Sequence, residues 1–290
     1  MNGHSVAKPN VQNGRQTLNG LDDNPLCRTW RGDKEGKVRL AVVPEFEDPY
    51  EEREWIKLHF VTGGSWVTER VFPVITVKDP VLPDHYWMNP FAVHFSSITI
   101  SKLVLVGPDG YVTKYGAQLP INTAGFHIHS AIHKARPDAK AAAHCHSLHG
   151  KAWFALGLPI HILTQDSCLF YDNLGVYKNF GGIVLANEEG ENIATALGPK
   201  WKTCILQNHG LLTLGTNVDE AVYLFSAFDR QCKVQLLVEA AAANGVKKTI
   251  IDNADAEFTA NTIQWWENTY IDFQPEYNLL LEETNGAFLL

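Results

Sequence analysis

The sequence is short of basic charge, of cysteine and of long apolar runs. Lys and Arg number 24 against 32 Asp and Glu, giving a formal net charge of -8 over 290 residues. A nucleic-acid binder needs a basic surface that displaces counterions, so this balance argues against DNA or RNA as a partner. The same deficit argues against docking on an anionic membrane surface. No apolar stretch approaches the ~20 residues that cross a bilayer. The first residues are rich in Asn, Gly, Gln and Asp and lack an apolar h-region, so they do not read as a secretory signal. The five cysteines, Cys27, Cys145, Cys168, Cys204 and Cys232, are odd in number and scattered, with no zinc-knuckle or redox spacing. Reduced thiols in a cytoplasmic protein are the expectation. There is no internal repeat.

What is present is material for one large core, since 45% of the residues are hydrophobic. We expect a disordered tail over 1–26, a main domain over 27–250 and an aromatic-rich C-terminal extension over 251–290. Helical spacing predicts a first helix over Glu51–Phe60. A β-branched run predicts a strand over Val71–Val77, followed by strands over Tyr86–Val93 and Leu103–Val106 and a hairpin turn at Pro108–Tyr111. Thr123–Arg136 reads as a helix with Thr123 as N-cap and Pro137 as its stop. Ala139–His144 reads as a buried strand and Gly150–Leu156 as a helix. Further strands are expected over Ile183–Ala186 and Thr203–Gln207. Asn217 opens a long helix, Val218–Ala243, stopped by Gly245. Beyond Ile250 the chain reads as helical, then as the aromatic stretch Trp265–Tyr277. The alternation of strands and helices indicates an α/β domain.

The most informative stretch is Ala141-Ala-Ala-His-Cys-His146. Residues two apart on a strand point to one side, so His144 and His146 can aim both imidazoles at one point. A borderline cation such as Zn²⁺ wants that arrangement. The chain has twelve histidines, and an isolated pair of this spacing is as well explained by ordinary surface or core residues. A second segment, Gln207-Asn-His-Gly-Leu211, offers His209 after a buried-looking strand, with Gly210 permitting a sharp turn or close backbone approach. Three histidines would leave an open coordination position, which marks a catalytic rather than a structural metal site.

The run from Thr123 through Arg136-Pro-Asp138 to His144-Cys-His146 resembles the central motif of the class II aldolase/adducin family. The resemblance continues through Leu163–Tyr171, Leu197–Lys200, Leu206–Leu211 and Val218–Ala221, covering roughly residues 50–245. It implies a three-layer α/β/α domain with a central sheet, and a homo-oligomer, commonly a tetramer, with its site near a subunit interface. It assigns His144, His146 and His209 as metal ligands, with Zn²⁺ expected and Fe²⁺ or Mn²⁺ as alternatives. The sequence departs from the sugar-phosphate aldolases twice. They carry an acid/base glutamate at the position of Gly125, a loss shared with the adducin-like branch. They also carry a small-residue turn for phosphate where this chain has Val71-Phe-Pro-Val74, and proline has no N–H to donate.

Proton-moving candidates follow from the same resemblance. Asp166 and Tyr171 lead, with a turn cap and core packing as their plain alternatives. His129 aligns with an aldolase histidine and is expected near the metal. His133 and His149 read as surface or interface histidines, Asn89 as a pocket or turn residue, and Ser96, Ser97, Thr99 and Ser101 as polar contacts or caps. The C-terminal aromatics read as a lid or a subunit contact. Three functions stand open. The first is a metal-dependent lyase or isomerase on a carbonyl-containing, non-phosphorylated small molecule, in the manner of specialised metabolism. The second is a non-haem iron oxygenase, and the third a non-catalytic adducin-like interaction module.

Overall fold

The computed structural model describes residues 11–12, 15–16, 24–30, 32–33, 37–66, 74–182, 184 and 187–290. Strands β1 (Val11–Gln12) and β2 (Arg15–Gln16) form a small antiparallel pair, and α1 (Pro25–Thr29) follows. The rest of the expected tail over 1–26, apart from Asn24, lies outside the described residues.

The body of the chain is one seven-stranded sheet of β3 (Val74–Lys78), β4 (Tyr86–Met88), β5 (Val104–Val106), β6 (Ala141–Cys145), β7 (Leu174–Tyr177), β8 (Thr203–Leu206) and β9 (Gly210–Gly215). The spatial order is β5-β4-β3-β6-β9-β8-β7. Only β7 and β8 run parallel; the other neighbours are antiparallel. The helices are α2 (Pro49–Trp66), α3 (Thr123–Ala135), α4 (Leu148–Phe154), α5 (Asn187–Leu197), α6 (Val218–Ala243), α7 (Asn253–Ile263) and α8 (Trp266–Thr284).

Side-chain alternation along β6 divides the core. Ala141, Ala143 and Cys145 face a cluster with Phe60 of α2, Trp153 of α4, Phe228 of α6 and Phe273 of α8. Ala142 faces the other way, with Cys204, Leu206, Leu212 and Leu214, against Ile128 and Ile132 of α3 and Ile193 and Leu197 of α5. Helices on both faces make the three-layer α/β/α arrangement that the sequence implies. The alanines of β6 admit close packing on both sides. Among the described residues no helix is long and apolar enough to cross a membrane.

Several local expectations are corrected. The first helix is longer than Glu51–Phe60. The strand from Tyr86 stops at Met88, because Asn89 turns its side chain back to accept from the Ile75 N–H at 3.0 Å and Pro90 has no donor for a ladder. The Pro108–Tyr111 turn returns only to a single bridge, Val106 with Val112. The N-cap of α3 is Asn122, whose side chain accepts from the Gly125 N–H at 3.1 Å, one residue before the expected Thr123. Of the strand expected over Ile183–Ala186, only Val184 is described, and it is in no strand. The edge strand there is β7, which the sequence reading did not anticipate. The long α6 has its expected bounds, with Asn217 capping at 2.8 Å to the Glu220 N–H and Gly245 at φ 85°.

Tyr270, Phe273 and Tyr277 of the C-terminal aromatics pack against the rest of the chain. Phe273 joins the large core. Tyr277 stacks on His59 of α2 with centroids 5.0 Å apart, and Trp55 covers the ring's other neighbourhood at 4.1 Å. His59 Nδ1 lies 2.7 Å from the buried carboxylate of Asp219 on α6. Trp265 is the exposed aromatic of the stretch, at 40%. Cys145, Cys168, Cys204 and Cys232 are buried thiols.

Candidate metal centre

Three histidines meet at the end of β6. His144 is inside the strand, paired with Val74 of β3 and Leu212 of β9, on the face covered by α3. His146 lies two residues on, just past the strand end. His209 comes from the turn between β8 and β9, where Leu206 pairs with Gly210 and the His209 N–H donates to the Leu206 carbonyl at 3.0 Å. Asn208 takes the left-handed conformation in that turn, φ 60°, which asparagine tolerates. Gly210 therefore serves a steric purpose: a Cβ there would stand 2.5 Å from His144 Cε1 and 3.0 Å from His146 Cδ2. The ring centroids form a nearly equilateral triangle, 4.8 Å from His144 to His209 and 5.1 Å on the other two sides. One nitrogen from each ring lies within 4.8 Å of the other two.

The electrostatics suit a cation. His144 is buried, while His146 and His209 are half-buried, so the triangle opens on one side. Burial, followed by its histidine neighbours, holds His144 well below the usual imidazole range. Burial first, then His146, brings His209 down to about 4, and burial with the nearby Lys151 ammonium lowers His146. All three rings are neutral at pH 7 and carry a bare lone pair. His144 Nδ1 lies 3.0 Å from the Leu211 carbonyl. A carbonyl only accepts, so that nitrogen carries the proton and Nε2 is left as the donor atom for a metal. Three neutral imidazoles, one with its tautomer fixed and all aimed at an open point, fit a divalent ion.

Behind His144 runs a buried relay. His133 Nδ1 donates to the Ala139 carbonyl at 3.2 Å, so its Nε2 accepts from the Thr76 hydroxyl at 2.8 Å. The Thr76 oxygen then accepts from His129 Nδ1 at 2.7 Å. This order leaves His129 Nε2 unprotonated, and it has no hydrogen-bond partner among the described residues. The His129 and His144 rings are 6.4 Å apart. Burial depresses both His129 and His133 to about 3. His133 is thus an interior residue, stacked on Tyr86 at 4.9 Å, and not the surface or interface histidine expected.

The place of the missing carboxylate is filled. A Cβ on Gly125 would lie 2.8 Å from Val74 Cγ2 and 2.9 Å from Val74 Cγ1. Val74 is also the residue paired with His144, so an isopropyl group stands beside the triangle where the aldolases carry an acid. Val71, Phe72 and Pro73, the other departure, lie outside the described residues. The remaining candidates scatter. Asp166 is exposed in the 3₁₀ turn Gln165–Phe170, capped by Thr164, and Tyr171 follows it with its carbonyl held by Gln264, just past α7, at 2.8 Å. That segment enters β7 at the end paired with Thr203, whereas His209 follows the Leu206 end. Within the chain the sheet therefore separates Asp166 and Tyr171 from the histidines. His149 Nδ1 pairs with Asp229 at 2.7 Å on the α6 side. Ser96 is capped by His94, whose Nδ1 accepts from the Ser96 N–H at 3.3 Å, and the Thr99 and Ser101 hydroxyls bond at 3.0 Å.

Two groups near the triangle escaped the sequence reading. Tyr177, at the end of β7, donates its hydroxyl to Glu189 of α5 at 2.9 Å. Lys151 lies on α4, close enough to act on His146. Neither belongs to a local motif; both arrive through sheet order and helix packing.

Comparison with known proteins agrees with this architecture. The family described as Class II Aldolase and Adducin N-terminal domain matches residues 65–236. Decarboxylase NovR of Streptomyces niveus is 40% identical over 205 residues, 68% of this chain and 75% of that protein. The 4-hydroxy-3-prenylphenylpyruvate oxygenase/4-hydroxy-3-prenylbenzoate synthase of Streptomyces roseochromogenus subsp. oscitans is 39% identical over 205 residues, 68% of this chain and 73% of that one. The structure of L-fuculose 1-phosphate aldolase from Glaciozyma antarctica PI12 superposes with a TM-score of 0.76 at 37% identity, covering 85% of this chain and 96% of that one. Class II aldolases generally depend on a divalent metal, and family members are typically oligomeric and bind small molecules. On the matched span and on the fold, the chain belongs to the class II aldolase and adducin N-terminal domain family.

Proposed function

We propose that the chain is a metal-dependent enzyme of lyase type acting on a carbonyl-containing, non-phosphorylated small molecule. The observation that carries this reading is the triangle of three neutral imidazoles, nitrogens within 4.8 Å of one another, beside a Gly125 position closed by Val74. His144, His146 and His209 would hold one divalent ion, Zn²⁺ by preference, with Fe²⁺ or Mn²⁺ as alternatives. When bound, such an ion polarises a substrate oxygen and favours the anionic product of bond cleavage.

The chain's own residues supply the surroundings. Lys151 is exposed and its field reaches His146, which favours an anionic substrate group such as a carboxylate. His129 backs His144 with a bare Nε2. Asp166 and Tyr171 remain candidates for proton transfer through a second copy of the chain, since they stand at the other end of β7 in their own protomer. The name of the 40% identical relative makes decarboxylation the form of cleavage we favour.

A second reading, a non-haem iron oxygenase, draws on the 39% identical relative named as an oxygenase and on a donor set of histidines alone. The test is elemental analysis of protein purified without oxygen, then assays on an arylpyruvate and a sugar phosphate after reconstitution with Zn²⁺, Mn²⁺ or Fe²⁺. We expect one equivalent of metal, lost in His144→Ala and His209→Ala, and cleavage of the oxo acid without oxygen uptake. Iron-restored activity that consumes oxygen would replace this reading with the second. Protein that takes up no metal and turns over nothing would leave the adducin-like interaction module.

A further inference from the structure

We propose that Phe91 is the specificity-determining residue of the three-histidine site: an aromatic end wall, about 10 Å across the sheet from His144, that selects a substrate with a planar apolar body over one with a short or phosphorylated tail. This deepens the reading of His144, His146 and His209 as the holders of one divalent ion, and rests on it.

The placement follows from strand register. His144 of β6 pairs with Val74 of β3, and Thr76 of β3 pairs with Met88 of β4. Because β3 and β4 are antiparallel, Asn89 comes level with Ile75, and the Asn89 side-chain oxygen accepts from the Ile75 N–H at 3.0 Å. Pro90 then comes level with Val74, in the row of His144 and two strands from it. Strands lie about 4.8 Å apart, so the segment 89–92 stands at the histidine end of the sheet, roughly 10 Å to one side. It is also drawn to the same face. The Phe91 N–H donates to the Pro120 carbonyl at 2.7 Å. Leu119 and Ile121, on either side of Pro120, pack on the cluster of Val74, Met88 and Phe126 beneath α3, the helix that covers His144.

Phe91 is presented rather than packed. It is 47% exposed, whereas Met88 and Val74 beside it are buried. Ala92, the next residue, takes the left-handed conformation at φ 61°, which a residue with a Cβ adopts only at a cost. The segment is held in that shape from both ends, by Asn89 on β3 and by the 3₁₀ turn Phe95–Ser97 that His94 caps. Val74, Pro90 and Gly125, the residues between the triangle and Phe91, carry no charge. A substrate whose oxygens are held at the histidines therefore extends over carbon. A phenyl ring on a short acid chain fills that span and meets Phe91 with its face or edge. A phosphate in the same place would lose water and gain no partner from these residues. The substrate class that fits is an aryl oxo or hydroxy acid.

The experiment is calorimetric titration of the Zn²⁺-loaded full chain with phenyllactate and with lactate, on the parent, His144→Ala, Phe91→Ala and Phe91→Tyr, with zinc content measured for each. The two acids share the oxygens that would meet the metal and differ by the ring. We expect the parent to bind phenyllactate about tenfold tighter than lactate, the scale of one aromatic contact. Phe91→Ala should bring that ratio close to one, Phe91→Tyr should preserve it, and His144→Ala should hold no zinc and bind neither acid. A parent-like ratio in Phe91→Ala, with binding lost in His144→Ala, overturns the role of Phe91 and leaves the histidine site standing. The same ratio with a changed oligomeric state in light scattering makes Phe91 a contact between copies and overturns the wall as well. A parent that holds zinc but binds both acids equally, or neither, overturns the wall alone. A parent that holds no zinc overturns both readings.

Discussion

At the scale of single residues, two glycines shape the site by what they leave out. Gly210 gives its space to the rings of His144 and His146. Gly210→Ala should weaken Co²⁺ binding by roughly tenfold or more while the far-ultraviolet spectrum stays that of the parent. Gly125 gives its space to Val74. Alanine normally improves a helix interior by about 1 kcal/mol over glycine. Here the new methyl meets Val74 within 3 Å, and overpacking of that kind costs about 1–3 kcal/mol. Gly125→Ala should therefore be destabilising in urea titration and become neutral or favourable in a Val74→Ala background. A stabilised single variant would contradict the close packing. His144 and His146 were legible as neighbours from the period-two spacing of a strand, whereas His209 joined them only through the family resemblance. The tautomers were not legible, since they depend on Leu211, Thr76 and Ala139, which reach the rings only after folding.

At the scale of elements, legibility follows how local the determining signals are. Helix α6 is fixed by its own cap and stop, Asn217 and Gly245, and its bounds could be read directly. Strand β7 and helix α5 could not. β7 is only four residues long and is defined by parallel pairing with β8, some thirty residues on. α5 begins Asn-Glu-Glu-Gly-Glu, and its fit to α3 depends on a glycine that has a partner only in three dimensions. Tyr177 and Glu189 were missed for that reason. Helix α8 is likewise held by distant residues, the His59–Asp219 pair and the Tyr277 stack. Replacing His59 by leucine leaves the Asp219 carboxylate buried without its nearest partner, a change that typically costs roughly 3–5 kcal/mol. The expected signature is earlier proteolysis between α7 and α8, with a lowered melting temperature. A variant as stable and as resistant as the parent would show that α8 docks by apolar contact alone.

At the scale of the whole molecule, the buried imidazoles make stability depend on pH. His129 and His133 have folded-state values of about 3, below the ordinary ~6.5 of the unfolded chain. The unfolded chain therefore takes up these protons first as the solution is acidified. The full contribution is present above ~6.5 and is lost as pH falls toward 3, at up to about 1.4 kcal/mol per pH unit for each group. Urea midpoints of metal-free protein should fall between pH 7 and pH 5, and less steeply in His133→Gln. A flat profile would mean that these rings gain protons in the folded state. A second whole-molecule test concerns Asp166 and Tyr171. If they serve a neighbouring copy's histidines, inactive His144→Ala and Tyr171→Phe chains should recover part of the activity when refolded together, and neither alone should do so. Mixtures no better than their components would confine those two residues to their own protomer.

The contact between Val74 and Gly125 also bears on how such a site changes over generations. Restoring a carboxylate at Gly125 alone drives a side chain into Val74. Trimming Val74 alone opens a void beside His144. Each single change is expected to give a less stable protein. An acid at this place needs two coordinated substitutions on different elements, a barrier set by packing rather than by any demand of the chemistry.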